Sequence, residues 1–309
     1  MTGLASKDVL RADQFSKEEI SRIMKLAAAY EGALKEGKIL RVMEGLVLST
    51  LFYEPSTRTR LSFETAMLRL GGKVISVSEA KSTSASKGES LHDTIKTIEG
   101  YADVIVIRHP QIGSAEEAAR ATHRPVLNAG DGAGQHPTQS LLDFYTIQKE
   151  NGTVDGLTIA LAGDLKNGRT VHSLALLLAS YDVRFTFIAP GALRMPREII
   201  DRLQTDGVHV EETEDLQAGL KSCDVLYMTR IQRERFEDRA EYDRLKDSYV
   251  LTPSHISQAK GGVTIMHPLP RVNEIGADLD SYAGAAYFRQ AANGVPIRMA
   301  LLALVCGRA

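Results

Sequence analysis

The sequence predicts an α/β protein of two doubly wound domains, each a mostly parallel sheet flanked by helices. Short apolar runs alternate with helical patterns along the whole chain. The 309 residues correspond to about two domains of ordinary size. A polar break at residues 149–152 separates two series of predicted strands. These three observations together favour one α/β unit on each side of the break.

The first half contains strands separated by amphipathic helices. Apolar runs predict strands at residues 46–53, 73–77, 103–108 and 125–128. Ser16 and Glu19 form a capping box, which predicts a helix from that point to about residue 31. Further helices are predicted at 56–70 and 137–148, and Pro137 suits the first turn of the latter.

The second half repeats this alternation. Strands are predicted at 157–162, 184–188, 224–228 and 263–266, and helices at 170–179 and 196–204. The last segment, about 295–305, is helical with Pro296 near its start. We therefore expect a first domain at 1–150, a second at 151–291, and a helix within 292–309 that returns to the first domain.

Composition excludes several classes of protein. Hydrophobic residues make up 43% and charged residues 25%, which is typical of a globular chain and not of a disordered one. The net charge of -2 argues against nucleic-acid binding through overall charge. No apolar stretch is long enough to cross a bilayer, and no leader pattern opens the chain, so a cytoplasmic location is expected. Cys223 and Cys306 are isolated, so neither a disulfide nor a metal site is expected.

Ligands of open α/β sheets bind beyond the carboxyl ends of the strands, so the loops there carry the most information. Ser56, Thr57, Arg58 and Thr59 follow the first strand and open a helix. Hydroxyl groups, main-chain N–H groups and an arginine together suit a phosphate dianion. An ordinary helix cap with surface arginines accounts for the same residues equally well. No Walker A sequence is present.

Three further loops of the first half are candidates. Arg108 ends an apolar strand, although a charged residue there is more often merely solvated. His136 follows a glycine-rich loop and begins a helix, which favours a neutral hydrogen-bond donor, with a capping histidine as the alternative. The Ser-rich segment 82–90 has the composition of a disordered loop.

The second half has loops of two chemical kinds. Residues 163–170 lack the glycines of a dinucleotide site, and Lys166 and Arg169 favour an anion instead. Arg230 and Gln232 follow the strand at 224–228. The loop 267–270 contains two prolines, which lack N–H groups, so its carbonyls are expected to bind an NH2 group.

Taken together and in this order, these motifs resemble those of the aspartate/ornithine carbamoyltransferase family over nearly the whole chain. The motifs occupy residues 56–60, 62–64, 108–110, 136–139 and 267–270. Two features favour the aspartate-specific members. Pro268 stands where ornithine-specific members have cysteine, and Arg230-x-Gln232-x-Glu234-Arg235 is similar to their aspartate-binding motif.

The resemblance implies that carbamoyl phosphate and L-aspartate give N-carbamoyl-L-aspartate and phosphate by direct attack of the amine, in de novo pyrimidine synthesis. No cofactor, metal or covalent intermediate is implied. By similarity, the phosphate is held by Ser56, Thr57, Arg58, Thr59 and Arg108. The carbonyl oxygen faces Thr59, Arg108 and His136. The NH2 group binds Gln139 and the carbonyls of Pro268 and Leu269. The aspartate carboxylates bind Arg169, Arg230 and Gln232.

The resemblance also changes the interpretation of the Ser-rich segment. In this family it carries a serine and a lysine that reach the active site of a neighbouring subunit. The serine contacts carbamoyl phosphate, and the lysine contacts both substrates. Lys87 matches the lysine, and Ser84 is the preferred match for the serine, with Thr83 as the rival. A homotrimer with shared active sites is implied. Regulatory chains or dihydroorotase are possible partners of such a trimer.

Three alternatives remain open at this stage. The first is a carbamoyltransferase for ornithine or another amine, which Pro268 and Arg230 disfavour. The second is a nucleotide-binding dehydrogenase, suggested by fold and Gly163 alone and disfavoured by the missing glycine fingerprint. The third is a non-catalytic binding or scaffold chain descended from an enzyme.

Overall fold

Two parallel sheets form the framework of the protein. The computed structural model describes residues 4–78, 87–233, 236 and 238–309. Within them the first sheet has four strands in the order β2-β1-β3-β4. The strands are β1 Val47–Phe52, β2 Lys73–Val77, β3 Val104–His109 and β4 Val126–Asp131. The associated helices are α1 Lys17–Lys35, α2 Thr57–Arg69, α3 Leu91–Glu99, α4 Ser114–Arg120 and α5 Pro137–Asn151.

The second sheet has five strands in the order β7-β6-β5-β8-β9, again all parallel. Its strands are β5 Leu157–Ala162, β6 Val183–Ile188, β7 His209–Thr213, β8 Val225–Met228 and β9 Thr264–Met266. The helices are α6 Arg169–Leu178, α7 Arg197–Thr205, α8 Leu216–Leu220, α9 Arg239–Leu245, α10 Pro253–Ser257 and α11 Tyr287–Val305. The predicted fold class is confirmed.

The chain divides into two compact units, which we call the first and second units. The first is Met1–Leu141 with Asn293–Ala309, and the second is Leu142–Ala292. This division falls inside α5, whereas the sequence placed a domain boundary at the polar segment that follows. The expected domain bounds of 1–150 and 151–291 stay a prediction.

The C-terminal helix belongs to the first unit from Asn293 onward, as expected for a helix that returns to the first domain. The main-chain N–H of Ser6 donates to the carbonyl of Val305 at 2.9 Å, and Arg22 donates to the carbonyl of Ala309 at 2.9 Å. The guanidinium of Arg298 lies 4.9 Å from the centre of the Phe63 ring. These contacts fix the end of the chain beside α1 and α2.

Each sheet has a buried centre and one exposed edge strand. The middle strands β1, β3 and β5 are mostly buried because their residues are apolar on both faces. The edge strands β2 and β7 are half-buried or exposed throughout. The edge strand β7 carries His209, Glu211 and Glu212, which is why no strand was predicted there from apolar pattern.

The last helix begins earlier than predicted. It starts at Tyr287 rather than near 295, so Pro296 lies in its interior. The turn before Pro296 is held in helical form because it is packed, as Gln290 and Asn293 are almost completely buried. No helix of the described residues is both long and apolar enough to cross a membrane.

Both cysteines are free thiols. Burial raises the pKa of Cys223 to about 12 and that of Cys306 to about 11. The reactive thiolate is therefore scarce at neutral pH.

Candidate active site

The first motif lies at the start of α2, directly after β1. Ser56 is the N-cap residue, and within the described chain its side chain makes no capping hydrogen bond. The first N–H groups of a helix have no acceptor inside the helix, so this end offers donors to an anion. Thr59 is buried, and Ser62 Oγ donates to its carbonyl at 3.0 Å.

The helix α2 is fixed against the sheet by one carboxylate. Glu64 Oε1 accepts hydrogen bonds from Ser76 Oγ at 2.7 Å and from Thr50 Oγ1 at 3.2 Å. Thr50 is on β1 and Ser76 is on β2. The N-terminus of α2 is therefore held in place by both strands. Sequence reasoning had quoted Glu64 only as part of a motif.

Arg108 lies at the end of β3 and is held by two acceptors. Its Nη2 is 2.8 Å from Glu54 Oε2, and its Nη1 donates to the carbonyl of Ala129 at 3.3 Å. The side chain is 12% exposed, so the guanidinium is largely desolvated in a defined position. A merely solvated strand end would not show this. Glu54, which had no assigned role, lies in the same loop as Ser56.

The loop before His136 approaches the Arg108 loop closely. Gly132 has a φ of 52°, and a Cβ there would lie 2.4 Å from the carbonyl oxygen of Pro110. Its N–H donates to the carbonyl of His109 at 2.8 Å. Only glycine fits this contact. His136 itself is 3% exposed and precedes α5, with Gln139 one turn further on.

A buried carboxylate organises this part of the first unit. Asp131 is 2% exposed and accepts hydrogen bonds from the N–H of Gln135 at 2.7 Å, from Asn128 Nδ2 at 3.1 Å and from the N–H of Gly113 at 2.9 Å. It fixes the residue before His136. Sequence reasoning missed Asp131, although an aspartate beside glycine directly after an apolar strand is a usable signal.

The second unit uses the same device after β5. Gly163 has a φ of 113°, and a Cβ there would lie 2.3 Å from the carbonyl oxygen of Thr229. The N–H of Asp164 donates to Thr229 Oγ1 at 3.0 Å. Close packing of two loops therefore explains the glycine that had suggested a dinucleotide site.

Asp164 connects the predicted anion-binding loops of the second unit. It is completely buried and accepts from the N–H of Asn167 at 3.0 Å and from Asn167 Nδ2 at 3.1 Å. The N–H of Gln232 also donates to it. Burial raises the pKa of Asp164 above the ordinary value despite these donors. Asp164 was likewise missed as a functional residue.

The predicted aspartate-binding residues follow neighbouring strands of the second sheet. Arg169 is the first residue of α6, after β5. Arg230 and Gln232 follow β8, and Gln232 Nε2 donates to the carbonyl of Asn167 at 3.4 Å. The strands β5 and β8 are adjacent and parallel, so these loops leave the same edge of the sheet.

The segment 267–271, which we call the proline loop, follows β9 next to β8. Leu269 has a φ of 55°, and the bond between Leu269 and Pro270 is cis. Pro268 and Pro270 have no N–H, as the sequence indicated. Arg271, at the end of the loop, donates from Nη2 to Asp280 at 2.7 Å.

Lys87 is exposed and lies shortly before α3. Ser84 and its rival Thr83 lie outside the described residues, as do Glu234 and Arg235 of the aspartate-binding motif. The structure thus places each other predicted residue at the end of a strand or the start of a helix, in the unit where the sequence put it.

The fold and these loops define a class: a two-unit α/β enzyme whose candidate ligand-binding side chains follow the carboxyl ends of parallel strands. The carbamoyl-phosphate-binding model of the aspartate/ornithine carbamoyltransferases matches residues 7–149, and the aspartate/ornithine-binding model matches residues 155–305. The chain belongs to the aspartate/ornithine carbamoyltransferase family.

Similar proteins extend over almost the whole chain. An aspartate carbamoyltransferase catalytic subunit of Thermococcus kodakarensis is 56% identical over 97% of both chains. A crystal structure of aspartate transcarbamoylase from Trypanosoma cruzi, in complex with carbamoyl phosphate and aspartate, is 42% identical with a TM-score of 0.93, over 98% of this chain and 97% of that one. A multifunctional protein of Dictyostelium discoideum is 48% identical over 98% of this chain, which corresponds to 14% of its length.

Proposed function

We propose that the protein transfers the carbamoyl group of carbamoyl phosphate to the amine of L-aspartate, giving N-carbamoyl-L-aspartate and phosphate. The bracing of Arg108 by Glu54 and Ala129, beside the start of α2, is the observation that carries this proposal. A cation that is held in a defined position and largely shielded from solvent supports the assignment of an anionic ligand to it. The 42% identical relative from Trypanosoma cruzi was crystallised with both proposed substrates.

Substrate groups are assigned by charge and donor type. We assign the phosphate to side chains that can all donate hydrogen bonds: Ser56, Thr57, Arg58, Thr59 and Arg108. The NH2 group goes to Gln139 and the carbonyls of Pro268 and Leu269. The two aspartate carboxylates go to Arg169, Arg230 and Gln232, with Lys87 supplied to both substrates. The first domain is accordingly the carbamoyl phosphate domain and the second the aspartate domain.

Catalysis in this proposal is electrostatic. When the amine attacks the carbonyl carbon, negative charge develops on the carbonyl oxygen. Fixed donors on Thr59, Arg108 and His136 stabilise that charge more in the transition state than in the substrate. Phosphate then leaves, and its developing charge is met by the donors of the α2 start. The amine proton passes to an oxygen of the leaving phosphate, because the sequence offers no strong general base for this step.

We further propose that three copies form a homotrimer in which Lys87 and Ser84 of one copy serve the site of another. Exposed apolar side chains of the first unit support the proposal. One is Ile75, on the edge strand β2 that precedes Ser84 and Lys87, which is 38% exposed. On the same unit Ile39 and Leu68 line one surface groove and are 87% and 61% exposed. Exposed apolar surface of this kind is typical of interfaces.

Shared sites are tested by mixing two inactive variants. Lys87→Ala and Arg58→Ala chains, each nearly inactive, are unfolded, mixed in equal amounts and reassembled. Random trimers should recover about a quarter of the wild-type activity, because one site in four combines both intact residues. Each variant reassembled alone is the control, and no recovery in the mixture would contradict shared sites.

The reaction itself is tested by phosphate release from carbamoyl phosphate with L-aspartate or L-ornithine as acceptor. We expect release with aspartate alone, together with N-carbamoyl-L-aspartate. Release with ornithine alone would show that the assignment of Arg230 and Gln232 is wrong. If neither amine reacts, binding of a bisubstrate phosphonate distinguishes an intact site from a lost one.

The cellular setting follows from the reaction. Carbamoyl aspartate formation belongs to de novo pyrimidine synthesis, and we place the protein in the cytoplasm. Homologous sequence within the much longer Dictyostelium protein shows that such chains occur joined to other segments. Association with regulatory chains or with dihydroorotase is part of the same proposal.

A further inference from the structure

The proline loop contains a backbone conformation that needs support. Leu269 adopts a φ of 55°, which is unfavourable for a residue with a branched side chain. The proposed function assigns the carbonyls of Pro268 and Leu269 to the carbamoyl NH2 group, so their direction decides whether that group is recognised. The side chain of His267 accounts for how this conformation is held.

His267 is 1% exposed, its Nδ1 has a hydrogen-bond donor, and its Nε2 lies within ion-pair distance of a carboxylate without the alignment of a hydrogen bond. The N–H of Leu269 donates to His267 Nδ1 at 2.8 Å. That nitrogen is therefore an acceptor and carries no proton. The proton lies on Nε2, which is 2.7 Å from Glu274 Oε1. The imidazole is neutral and has one defined tautomer.

Glu274 is itself buried and fixed. It is 5% exposed, and Oε2 accepts from the N–H groups of Val272 and Asn273, both at 3.1 Å. Burial opposes its ionisation, but its contacts, with His267 first among them, bring its pKa below the ordinary value. A carboxylate at this position selects the tautomer with the proton on Nε2.

The main chain of His267 is held from the other side. Its N–H donates to Gln290 Oε1 at 2.8 Å, and Gln290 Nε2 donates to Asp143 Oδ1 at 2.7 Å. Tyr227 donates its hydroxyl to Asp143 Oδ2 at 2.8 Å. All these residues belong to the second unit and are at most 5% exposed. The chain of bonds fixes where the proline loop begins.

Burial also favours the neutral ring. It lowers the pKa of His267 in spite of Glu274, which raises it, and Arg230 and Arg271 lower it further. A second proton would occupy Nδ1 and remove the acceptor for Leu269. Neutral imidazole is thus the form that supports the loop.

We propose that His267 and Glu274 are positioning residues that hold the carbonyls of Pro268 and Leu269 toward the carbamoyl NH2 group, an inference that rests on the proposed function. Glu274 fixes the tautomer, and His267 Nδ1 fixes the N–H of Leu269. Neither residue touches the reacting atoms. Their effect is on discrimination between ligands that carry an NH2 group and ligands that lack it.

Acetyl phosphate supplies the probe, because a methyl group replaces the NH2 group while the phosphate and carbonyl are unchanged. Wild-type chain, His267→Gln and His267→Asn are compared for the KM of carbamoyl phosphate and for inhibition by acetyl phosphate. In His267→Gln the amide takes the place of Nε2 and no acceptor remains for Leu269. We expect its KM for carbamoyl phosphate to rise about tenfold, with acetyl phosphate inhibition changed less than about twofold.

His267→Asn is the rescue variant, because its side-chain oxygen takes the place of Nδ1. It should retain most of the wild-type discrimination. Glu274→Gln keeps the shape but offers an NH2 group to Nε2, which favours a proton on Nδ1. Glu274→Gln should lose discrimination between carbamoyl phosphate and acetyl phosphate, as His267→Gln does. It replaces His267→Gln in the test if that variant fails to fold.

The outcomes separate this inference from the reaction on which it rests. If both ligands weaken in parallel in His267→Gln and Glu274→Gln, the pair supports the fold in general and the inference is overturned. If both variants keep the wild-type ratio of the KM for carbamoyl phosphate to the inhibition constant of acetyl phosphate, the inference is overturned as well. If the wild-type chain forms no carbamoyl aspartate, the proposed reaction is wrong, and the inference that rests on it is wrong too.

Discussion

In each of the two units a glycine directly after or beside a strand lets one site loop touch the main chain of another. Gly132 meets Pro110 in the first unit, and Gly163 meets Thr229 in the second. A buried aspartate adjoins each glycine, Asp131 in one unit and Asp164 in the other. The local construction is therefore shared, although the two sequences around it differ.

The chemistry carried on this construction is different in the two units. The first presents mainly donors, at a helix N-terminus, the braced Arg108 and His136, with the amide of Gln139 beside them. The second adds a loop with two prolines, which presents carbonyls, to its arginines. The same packing device thus supports loops that we assign to a phosphate dianion in one unit and to carboxylates and an NH2 group in the other. The loop residues, and not the sheets, decide what is bound.

Arg108→Ala should produce the largest effect, because it removes a cation assigned to both the phosphate and the carbonyl oxygen. Each lost charged hydrogen bond costs about 1.5–3 kcal/mol, so we expect kcat/KM to fall about 1000-fold. Arg120→Ala, at an exposed position in the last turn of α4, is the matched control and should be unchanged. Steady-state kinetics measures both.

A fall of less than about tenfold in Arg108→Ala would mean that the first unit does not hold the anion as assigned. The contrast between the ligand groups of the two units would then no longer hold for the first unit. Thermal melting of the same variant shows whether loss of the contact between Arg108 and Glu54 has disturbed the fold.

Arg230→Ala should have a smaller effect that is confined to the second substrate. We expect the KM for aspartate to rise about 10- to 100-fold, which corresponds to the loss of about one charged hydrogen bond. Calorimetric binding of carbamoyl phosphate should stay near the wild-type value. Arg239→Ala, at the exposed first residue of α9, is the control.

Loss of carbamoyl phosphate binding in Arg230→Ala would show that Arg230 is not confined to the binding of aspartate. The structure gives a reason to expect the division to hold. The segment that contains Arg230 and Gln232 is fixed by Asp164 and Asn167, which lie in the second unit.

Local pattern was sufficient for most of the framework and for the positions of the motifs. Apolar runs predicted β1, β3, β5 and β8 because the central strands of a parallel sheet are buried on both faces. The edge strand β7 was missed because its Glu211 and Glu212 are exposed, and charge hides the strand pattern. The short helices α3 and α4 were also missed, since their stability comes from packing against the sheet.

The supporting residues of the site were beyond the reach of pattern. Glu54, Asp131 and Asp164 stand in loops that the sequence had singled out, yet each acts on residues distant in the chain. Asp164, for example, accepts from Gln232, and Glu54 contacts Arg108. Only the parallel arrangement of the strands brings such loops to one edge of a sheet. Residue type predicted the chemistry, and tertiary contacts decided which side chains are held in place.

The smallest predicted effect is a pH dependence of stability that differs between the units. Burial lowers the pKa of His172 in the second unit, and its Nε2 donates to the carbonyl of Leu165 at 2.6 Å. Burial lowers the pKa of His109 in the first unit too, but that ring is nearer to solvent. Both histidines stay neutral in the folded chain at pH values where the unfolded chain, with an ordinary pKa of about 6.5, takes up protons.

Below about pH 6.5 the unfolded chain therefore binds more protons than the folded chain, and the free energy of unfolding falls as the pH drops. His172 contributes at most about 1.4 kcal/mol of this loss at pH 5.5, and the less buried His109 contributes less. Urea midpoints at pH 7.5 and 5.5 measure the change. His172→Gln, which still offers a donor to Leu165, should reduce it more than His109→Gln does, and His123→Gln, at an exposed position, should leave it unchanged. An equal reduction by all three would show that protonation acts through the net charge of the chain and not through the burial that distinguishes the second unit from the first.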